Sequence, residues 1–273
     1  MRWLVLLLVV TSVSAQTTSQ VDDAPVWHFS LAVGYGEYGA IRHGEEDHAF
    51  YLLPRWSYYN GRFYVENLDV GWNLLESSNW SWDLTGKQSF DALLFRQHSL
   101  RDSLFRGVAE NNPPLGIPWD SDPATVLHPS TRHFSYLAGT TLFWRNEHWQ
   151  ASSAWHHDIS SVHNGIEVNH DLRYRYTLDD VNFAVTGAIR WLDARYSNYY
   201  FGFNEADSSN VYLYQPGAQW LPSLKLETSW SLSEHCRLLF SVKREWLSTD
   251  IHQSVYFSSR RHDIWFSGIL VTW

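Results

Sequence analysis

The sequence predicts an all-β fold, a transmembrane antiparallel β-barrel of about 12 strands. Three observations predict it: a start typical of a secreted protein, repeated segments in which apolar and polar residues alternate, and an aromatic last residue. The 273 residues include 16 Trp, 15 Tyr and 14 Phe but one Cys and one Met. Mean hydropathy is nevertheless slightly polar, at -0.33, which results when apolar residues alternate with polar ones. Such a composition is typical of a barrel wall.

The N-terminus has the three parts of a secretory signal peptide. A basic start, Met1-Arg2-Trp3, precedes an apolar run from Leu4 to Val10 and then a run of small residues ending at Ala15. We therefore expect a signal peptide over residues 1–15, cleaved after Ala15, and a barrel domain over residues 16–273. The apolar run is far shorter than the roughly 20 residues of a membrane-spanning helix. The mature chain should therefore cross a membrane with strands.

Charge and cysteine content exclude several classes of protein. The formal net charge is -9 and no basic block stands out, so nucleic acid is not an expected partner. The single cysteine, Cys236, allows neither a disulfide framework nor a cysteine zinc cluster. No cysteine lies beside the predicted cleavage site to carry a lipid.

The clearest strand covers residues 166–176. One face carries Ile166, Val168, His170, Leu172, Tyr174 and Tyr176, and the other Glu167, Asn169, Asp171, Arg173 and Arg175. A strict period of two indicates a strand. The charged face suits an aqueous, ion-paired lumen and the apolar face suits lipid, although a soluble sandwich strand with one wet face has the same pattern.

The same alternation predicts ten further strands, which gives an odd total. The eleven strands cover roughly 27–36, 49–59, 62–74, 79–88, 132–143, 148–157, 166–176, 180–191, 217–230, 235–247 and 262–273. Bacterial barrels have an even number of strands, with short turns at one end and long loops at the other. Counted back from the C-terminus, every second connection is short. This alternation continues to the turn at Asn60-Gly61 only if one more, weak strand lies near Asp91–His98, in the region between 89 and 131. We therefore predict twelve strands.

The C-terminus resembles the signal by which the barrel assembly machinery recognises outer-membrane proteins. The chain ends on Trp273, an apolar residue, Val271, lies two positions earlier, and Gly268 lies five positions before the end, after Phe266. Trp273 and Val271 share a face with Ile269 and Trp265. We expect the outer membrane of a Gram-negative bacterium, with its lipid and the assembly machinery as partners.

Two clusters of polar residues contain side chains of the kinds found in metal sites and hydrolases. The densest histidine patch is His156, His157, Asp158 and His163, but adjacent strand residues face opposite sides, so a shared metal ion is not expected. Ser160–Gly165 contains Ser161 near His163, the one candidate for a lipid hydrolase. It lacks a serine just after the histidine and a third orienting group. We therefore predict no enzyme, no metal and no cofactor.

Aromatic residues near strand ends predict interfacial anchors in preference to sugar-binding platforms. They include Trp149, Trp155, Trp191, Trp220, Trp230, Trp246, Trp265 and Trp273.

The sequence resembles the MipA/OmpV family over nearly the whole mature chain. The matching segments are Gly34-Tyr35-Gly36, Leu53-Pro54, Tyr59–Phe63, Gly71–Leu74, Tyr199-Tyr200-Phe201-Gly202 before Glu205-Ala206, and the ending from Trp230-Ser231-Leu232 onward. Two segments depart from the family pattern: Tyr256–Ser259 replaces a Ser-Pro pair, and Leu104–Gly107 lacks a Gly-Met step.

The resemblance implies an outer-membrane scaffold for murein enzymes, with a lytic transglycosylase and a penicillin-binding synthase as partners. Such a scaffold would bind through its short periplasmic turns or through Gln16–Pro25. A porin-like diffusion channel and a surface adhesin are the alternatives that the family also implies.

Overall fold

A computed structural model describes residues 25–95, 130, 132–204, 207 and 213–273. The predicted signal peptide, its cleavage site at Ala15 and the segment Leu104–Gly107 lie outside these residues. Within them, none of the helices combines the length and the apolar character needed to cross a membrane.

Twelve antiparallel strands close into one barrel, as predicted. They are β1 Val26–Tyr38, β2 His48–Asn60, β3 Phe63–Glu66, β4 Asp69–Glu76, β5 Trp80–Gln88, β6 Tyr136–Arg145, β7 Trp149–Asp158, β8 Ile166–Leu178, β9 Val181–Leu192, β10 Gln219–Ser231, β11 Cys236–Trp246 and β12 Arg261–Thr272. Each strand pairs with its neighbours in sequence, and β12 pairs with β1. Two helices, α1 Ala194–Phe201 and α2 Thr249–His252, lie in the long loops.

The number of strands is confirmed, but the origin of the twelfth strand was predicted wrongly. The predicted strand 62–74 is two strands, β3 and β4, joined at Asn67-Leu68. Asn67 adopts φ +55°, a left-handed conformation that asparagine tolerates, and its side chain accepts a hydrogen bond from the Trp56 N–H at 3.0 Å. No glycine or proline marks this turn, so the sequence pattern missed it.

The weak strand predicted over Asp91–His98 is wrong. Asp91–Phe95 forms a short 3₁₀ helix, and residues 96–98 lie outside the described part. Asp91 binds Arg190 on β9 at 2.9 Å and the Tyr196 hydroxyl on α1 at 2.9 Å. These bonds hold the segment inside the mouth of the barrel, where it cannot pair as a wall strand.

The predicted sidedness of the strands is confirmed. On β8, Leu172 and Tyr176 are exposed on the outside, whereas Glu167, Asn169 and Asp171 line the lumen. The outer surface carries a belt of exposed apolar and aromatic residues that includes Trp27, Val33, Trp72, Trp82, Leu84, Trp155, Val185, Trp220, Leu226, Trp230, Phe240 and Ile269. A closed sheet with this belt fits a membrane-spanning barrel and excludes the sandwich alternative.

The C-terminal strand forms the seam of the barrel. Gly268 lies directly opposite Gly34 of β1. Phe266 is buried inside and stacks on Phe50, with ring centroids 5.6 Å apart. Trp273 is 66% exposed, and its N–H donates to the Phe29 carbonyl at 3.0 Å. The four residues of the predicted assembly signal thus lie at the seam, while their recognition by the assembly machinery stays a prediction.

Deletion of Trp273 should leave exported chains that do not assemble. The deletion removes the last backbone bond of the seam and its ring contact with Phe29, at 5.4 Å, together with the predicted recognition residue. Pulse-chase labelling of outer-membrane fractions measures assembly, with Thr272→Ala as the control. Normal assembly of the deletion variant would reduce Trp273 to an interfacial anchor.

Candidate functional site

The long loops fold over one mouth of the barrel and form a cap. Helix α1 starts after Asp193, whose carboxylate accepts the Tyr196 N–H at 2.8 Å, and α2 starts after Ser248, which accepts the Ile251 N–H at 3.1 Å. Such side-chain caps satisfy amide groups that the first helical turn leaves free. The buried apolar residues of the cap are Ile41, Ala92, Leu94, Tyr196, Tyr200, Phe201, Phe203, Leu247, Ile251, Tyr256 and Phe257.

The family-like motif Tyr199-Tyr200-Phe201-Gly202 lies at the end of α1 and anchors the cap. The Tyr200 hydroxyl donates to the His133 carbonyl at 3.0 Å, and the fully buried Phe201 contacts Phe257, with centroids 5.9 Å apart. A Cβ on Gly202 would lie 2.3 Å from the Asn198 carbonyl oxygen, so only glycine fits. The motif therefore has a structural role in closing the outer mouth.

A buried ion pair, which the sequence analysis missed, fastens the end of this motif. Arg132 binds Asp207 at 2.9 Å and donates to the Gly202 carbonyl at 3.1 Å. Burial raises the pKa of Asp207, but hydrogen bonds from Arg132 and Ser130 outweigh it and lower the pKa overall. Arg132 is the first residue of the predicted strand 132–143 and Asp207 lies in a predicted loop. Alternation along a strand says nothing about a partner in a distant loop, so no sequence signal paired these two residues.

His163 is buried beneath the cap and does not form the hydrolase site considered from the sequence. Ser161 is exposed with φ +59°, and the partner of His163 Nε2 is Ser135 Oγ, at 3.0 Å. The Gly165 N–H donates to His163 Nδ1 at 2.9 Å. In the neutral ring Nε2 must then carry the proton and donate to Ser135. His163 therefore cannot remove a proton from Ser135.

Acidification should loosen the cap through His163. Burial lowers its pKa, and nearby Asp158 only partly offsets this effect. Because the folded pKa lies below the unfolded value of about 6.5, protonation favours the opened cap as the pH falls below that value. Hydrogen exchange of the α1 amides at pH 7 and pH 5 measures the effect. His163→Gln should reduce the difference in exchange between the two pH values. If this difference is unchanged in the variant, other groups cause the pH effect.

The two adjacent histidines of the histidine patch lie on opposite sides of the barrel wall. His156 faces the lumen, where its Nε2 lies 2.8 Å from Thr85 Oγ1, while His157 is exposed outside. The described residues contain no group of three His, Cys, Asp or Glu side chains that could hold a metal ion.

Beneath the cap, the lumen holds a cavity of about 300 Å³ lined by both apolar and charged side chains. The apolar lining residues Tyr38, Phe50, Leu53, Leu239, Ile264 and Phe266 form an apolar wall on β1, β2, β11 and β12, and these strands also contribute Arg55, Lys243, Glu245 and His262. The other side is a charged wall that includes Lys87, Asp91, Glu167, Asp171, Arg190 and Lys225. Such a cavity is at the lower end of the size range of small-molecule sites.

Ion pairs tie the charged wall to the cap. Lys87 on β5 binds Glu167 on β8 at 2.5 Å, across the lumen from strand to strand. Arg190 binds Glu245 at 3.2 Å and also binds Asp91, which accepts the Tyr196 hydroxyl of α1. Cap and wall therefore form one hydrogen-bonded unit. The alternation predicted that charged residues face inward, but it could not predict their partners.

A second cationic cluster lies further down the lumen, and two of its members, Arg55 and Lys225, line the cavity. Arg173 and Lys225 both bind Glu227, at 2.9 and 2.7 Å, and Arg55 on β2 lies close enough to interact electrostatically with Glu227 and Arg173. Three cations thus share one carboxylate at this level of the lumen. The alternation placed Arg173 inside, but it did not single out Arg55.

Solved structures of outer-membrane channels match this chain at low identity. The alignment with the NanC porin covers 89% of this chain and 98% of the porin chain, at 8% identity and with a TM-score of 0.43. An outer membrane channel from Pseudomonas putida F1 covers 94% and 100% at 8% identity, with a TM-score of 0.41. No curated protein matches the sequence. Residues 26–273 match the family model described as MltA-interacting protein MipA, and the chain, an outer-membrane β-barrel, belongs to that family.

Proposed function

We propose that the barrel is an outer-membrane scaffold that binds murein enzymes, a lytic transglycosylase and a penicillin-binding synthase, at its periplasmic rim. The description of the family names an interaction with MltA, and the charge of the rim supports such a role. The short turns at this end carry exposed carboxylates at Glu147, Asp179, Asp180 and Glu234. Among the described residues, Arg62 in the β2–β3 turn and Arg237 at the start of β11 are exposed cations at the same end.

The acidic rim is the observation that carries this proposal. Surface charges of one sign attract a partner of opposite charge and increase the rate of association. A partner with a basic surface should therefore dock on the four carboxylates. The cap at the opposite mouth is tied to the lumen wall, so the long loops serve closure and the periplasmic end is left for recognition.

Charge reversal at the rim should weaken binding of the transglycosylase. We expect Glu147→Lys, Asp179→Lys, Asp180→Lys and Glu234→Lys together to lower the affinity about tenfold or more, because like charges then oppose each other. Surface plasmon resonance with the immobilised full barrel measures this at two salt concentrations. Asp250→Lys, exposed on α2 at the capped end, is the control.

The lumen cavity keeps a diffusion channel as the second candidate. Conductance in planar bilayers separates the two functions, because a channel conducts without any murein enzyme. Two results together would favour the channel over the scaffold: transglycosylase binding that is unchanged in the rim variant, and stepwise conductance in the bilayer.

A further inference from the structure

The height of the barrel wall drops abruptly between the long strand β2 and the short strands β3 and β4. Below, this drop is called the step. These two strands pair over four positions, Ser57–Asn60 with Glu66–Phe63, and β3 and β4 also pair over four. On its other edge β2 pairs with β1 from Tyr59 up to His48. Among the described strands, residues 48–55 of β2 therefore have no partner on the β3 side, above the turn at Asn67-Leu68.

Pro54 lies on this edge of β2 and leaves it with one hydrogen-bond donor fewer. Trp56 directs both its N–H and its carbonyl toward β3, where Asn67 binds them at 3.0 and 2.8 Å. Backbone groups two residues apart on a strand point to the same side, so the backbone of Pro54, two residues before Trp56, also faces the β3 side. Proline has no N–H to donate there. Proline within a sheet occurs at edges, at the first residue of a strand and at bulges. Unpaired backbone is tolerated at membrane depth only where it lines protein or a polar cavity.

The lumen cavity lies directly behind the step. Leu53 and Arg55 of β2, Asp69 at the start of β4 and Lys87 of β5 flank the step and line the cavity. Outside it, Leu68 and Val70 are 40% and 37% exposed. A molecule that crosses the step thus passes from an apolar rim to a cavity with one apolar and one charged wall.

Arg55 gives the cavity a positive charge that interacts with Glu227 only from beyond hydrogen-bond distance. Within the described part of the chain no carboxylate lies at ion-pair or hydrogen-bond distance from its guanidinium. Its neighbours Arg173 and Lys225 already share Glu227. A guanidinium in a cavity favours a carboxylate or phosphate, which it binds with charge-assisted hydrogen bonds.

We propose that the lumen binds an anionic single-chain amphiphile that enters sideways from the membrane through the step between β2 and β3. Its anionic head lies at Arg55, its chain runs along the apolar wall at Leu53 and Phe50, and its end reaches the lipid past Leu68. This site is independent of the periplasmic rim, so neither proposal depends on the other.

The test is displacement of a fluorescent anionic probe, dansylaminoundecanoate, from the full mature protein in nonionic detergent. Laurate should displace the probe, whereas acetate and the cationic amphiphile dodecyltrimethylammonium should not. Arg55→Gln should weaken probe binding on the order of tenfold or more, because it removes a charge-assisted bond. Arg145→Gln, which removes a cation paired with Glu76 at 3.1 Å at the other end of the barrel, is the matched control.

Three results would overturn the proposal. Equal displacement by acetate would indicate an aqueous anion site, equal displacement by dodecyltrimethylammonium would indicate unspecific partition, and unchanged binding by Arg55→Gln would remove the head-group site. Heat-modifiable mobility in electrophoresis shows whether each variant is folded. If Arg55→Gln does not assemble, Ser223→Glu, a change on the polar lumen wall beside Lys225, must weaken probe binding instead.

The entry route has a test of its own. Insertion of Val-Thr after Glu66 and Thr-Val before Asp69, combined with Pro54→Val, lengthens the β3–β4 hairpin along the open edge. Release of the probe should slow severalfold, while the folded fraction stays that of the parent. An unchanged release rate in the folded variant would exclude sideways passage.

Discussion

Gly268→Ala is expected to prevent most chains from closing into a barrel. A Cβ at this position would lie 2.5 Å from the Val33 carbonyl oxygen and 2.8 Å from Gly34 Cα. Both are backbone atoms of the partner strand, so the seam itself must move. Overpacking usually costs about 1–3 kcal/mol, and here it acts where closure satisfies the backbone in lipid.

The seam has a second glycine and the barrel supplies a matched control. Gly34→Ala should have an equal or larger effect, because its Cβ would lie 2.1 Å from the Ser267 carbonyl oxygen. Gly187 on β9 has nothing within 4 Å of an added Cβ, so Gly187→Ala should assemble normally. The heat-modifiable fraction in outer membranes measures assembly. Equal yields for Gly268→Ala and Gly187→Ala would show that the β1–β12 seam tolerates a wider spacing.

Leu172→Lys should destabilise the barrel by about 2–4 kcal/mol, the cost of a lysine on the lipid face near the bilayer midplane. Leu172 is 47% exposed on the outer surface of β8. Asn169, three residues earlier on the same strand, lines the cavity between Glu167 and Asp171. Asn169→Lys should therefore cost little, because the new charge meets water and two carboxylates.

Unfolding in urea, with the protein in lipid vesicles, measures both variants against the parent. The difference between them tests the assignment of the two faces directly, since the residue introduced and the strand are the same. Comparable losses of stability in the two variants would contradict the lipid-facing assignment of Leu172.

The sequence by itself determined the barrel class, the strand count and the two faces of each regular strand. Because side chains alternate along a strand such as β8, each residue faces one of two sides, and the charged side can only be the lumen. The sequence also singled out Gly268 as part of the C-terminal signal, but not its contact with Gly34. These are local properties, and local patterns predict them.

The tertiary structure alone decided where the twelfth strand lies and what fills the barrel. The turn at Asn67 depends on a bond to Trp56, and the inward course of Asp91–Phe95 depends on Arg190, a residue 99 positions away from Asp91. The cap, the Arg132–Asp207 pair and the cluster of Arg55, Arg173 and Lys225 around Glu227 likewise arise from contacts between distant segments. No periodicity records such contacts, because loop residues are selected for their partners in space and not for their neighbours along the chain.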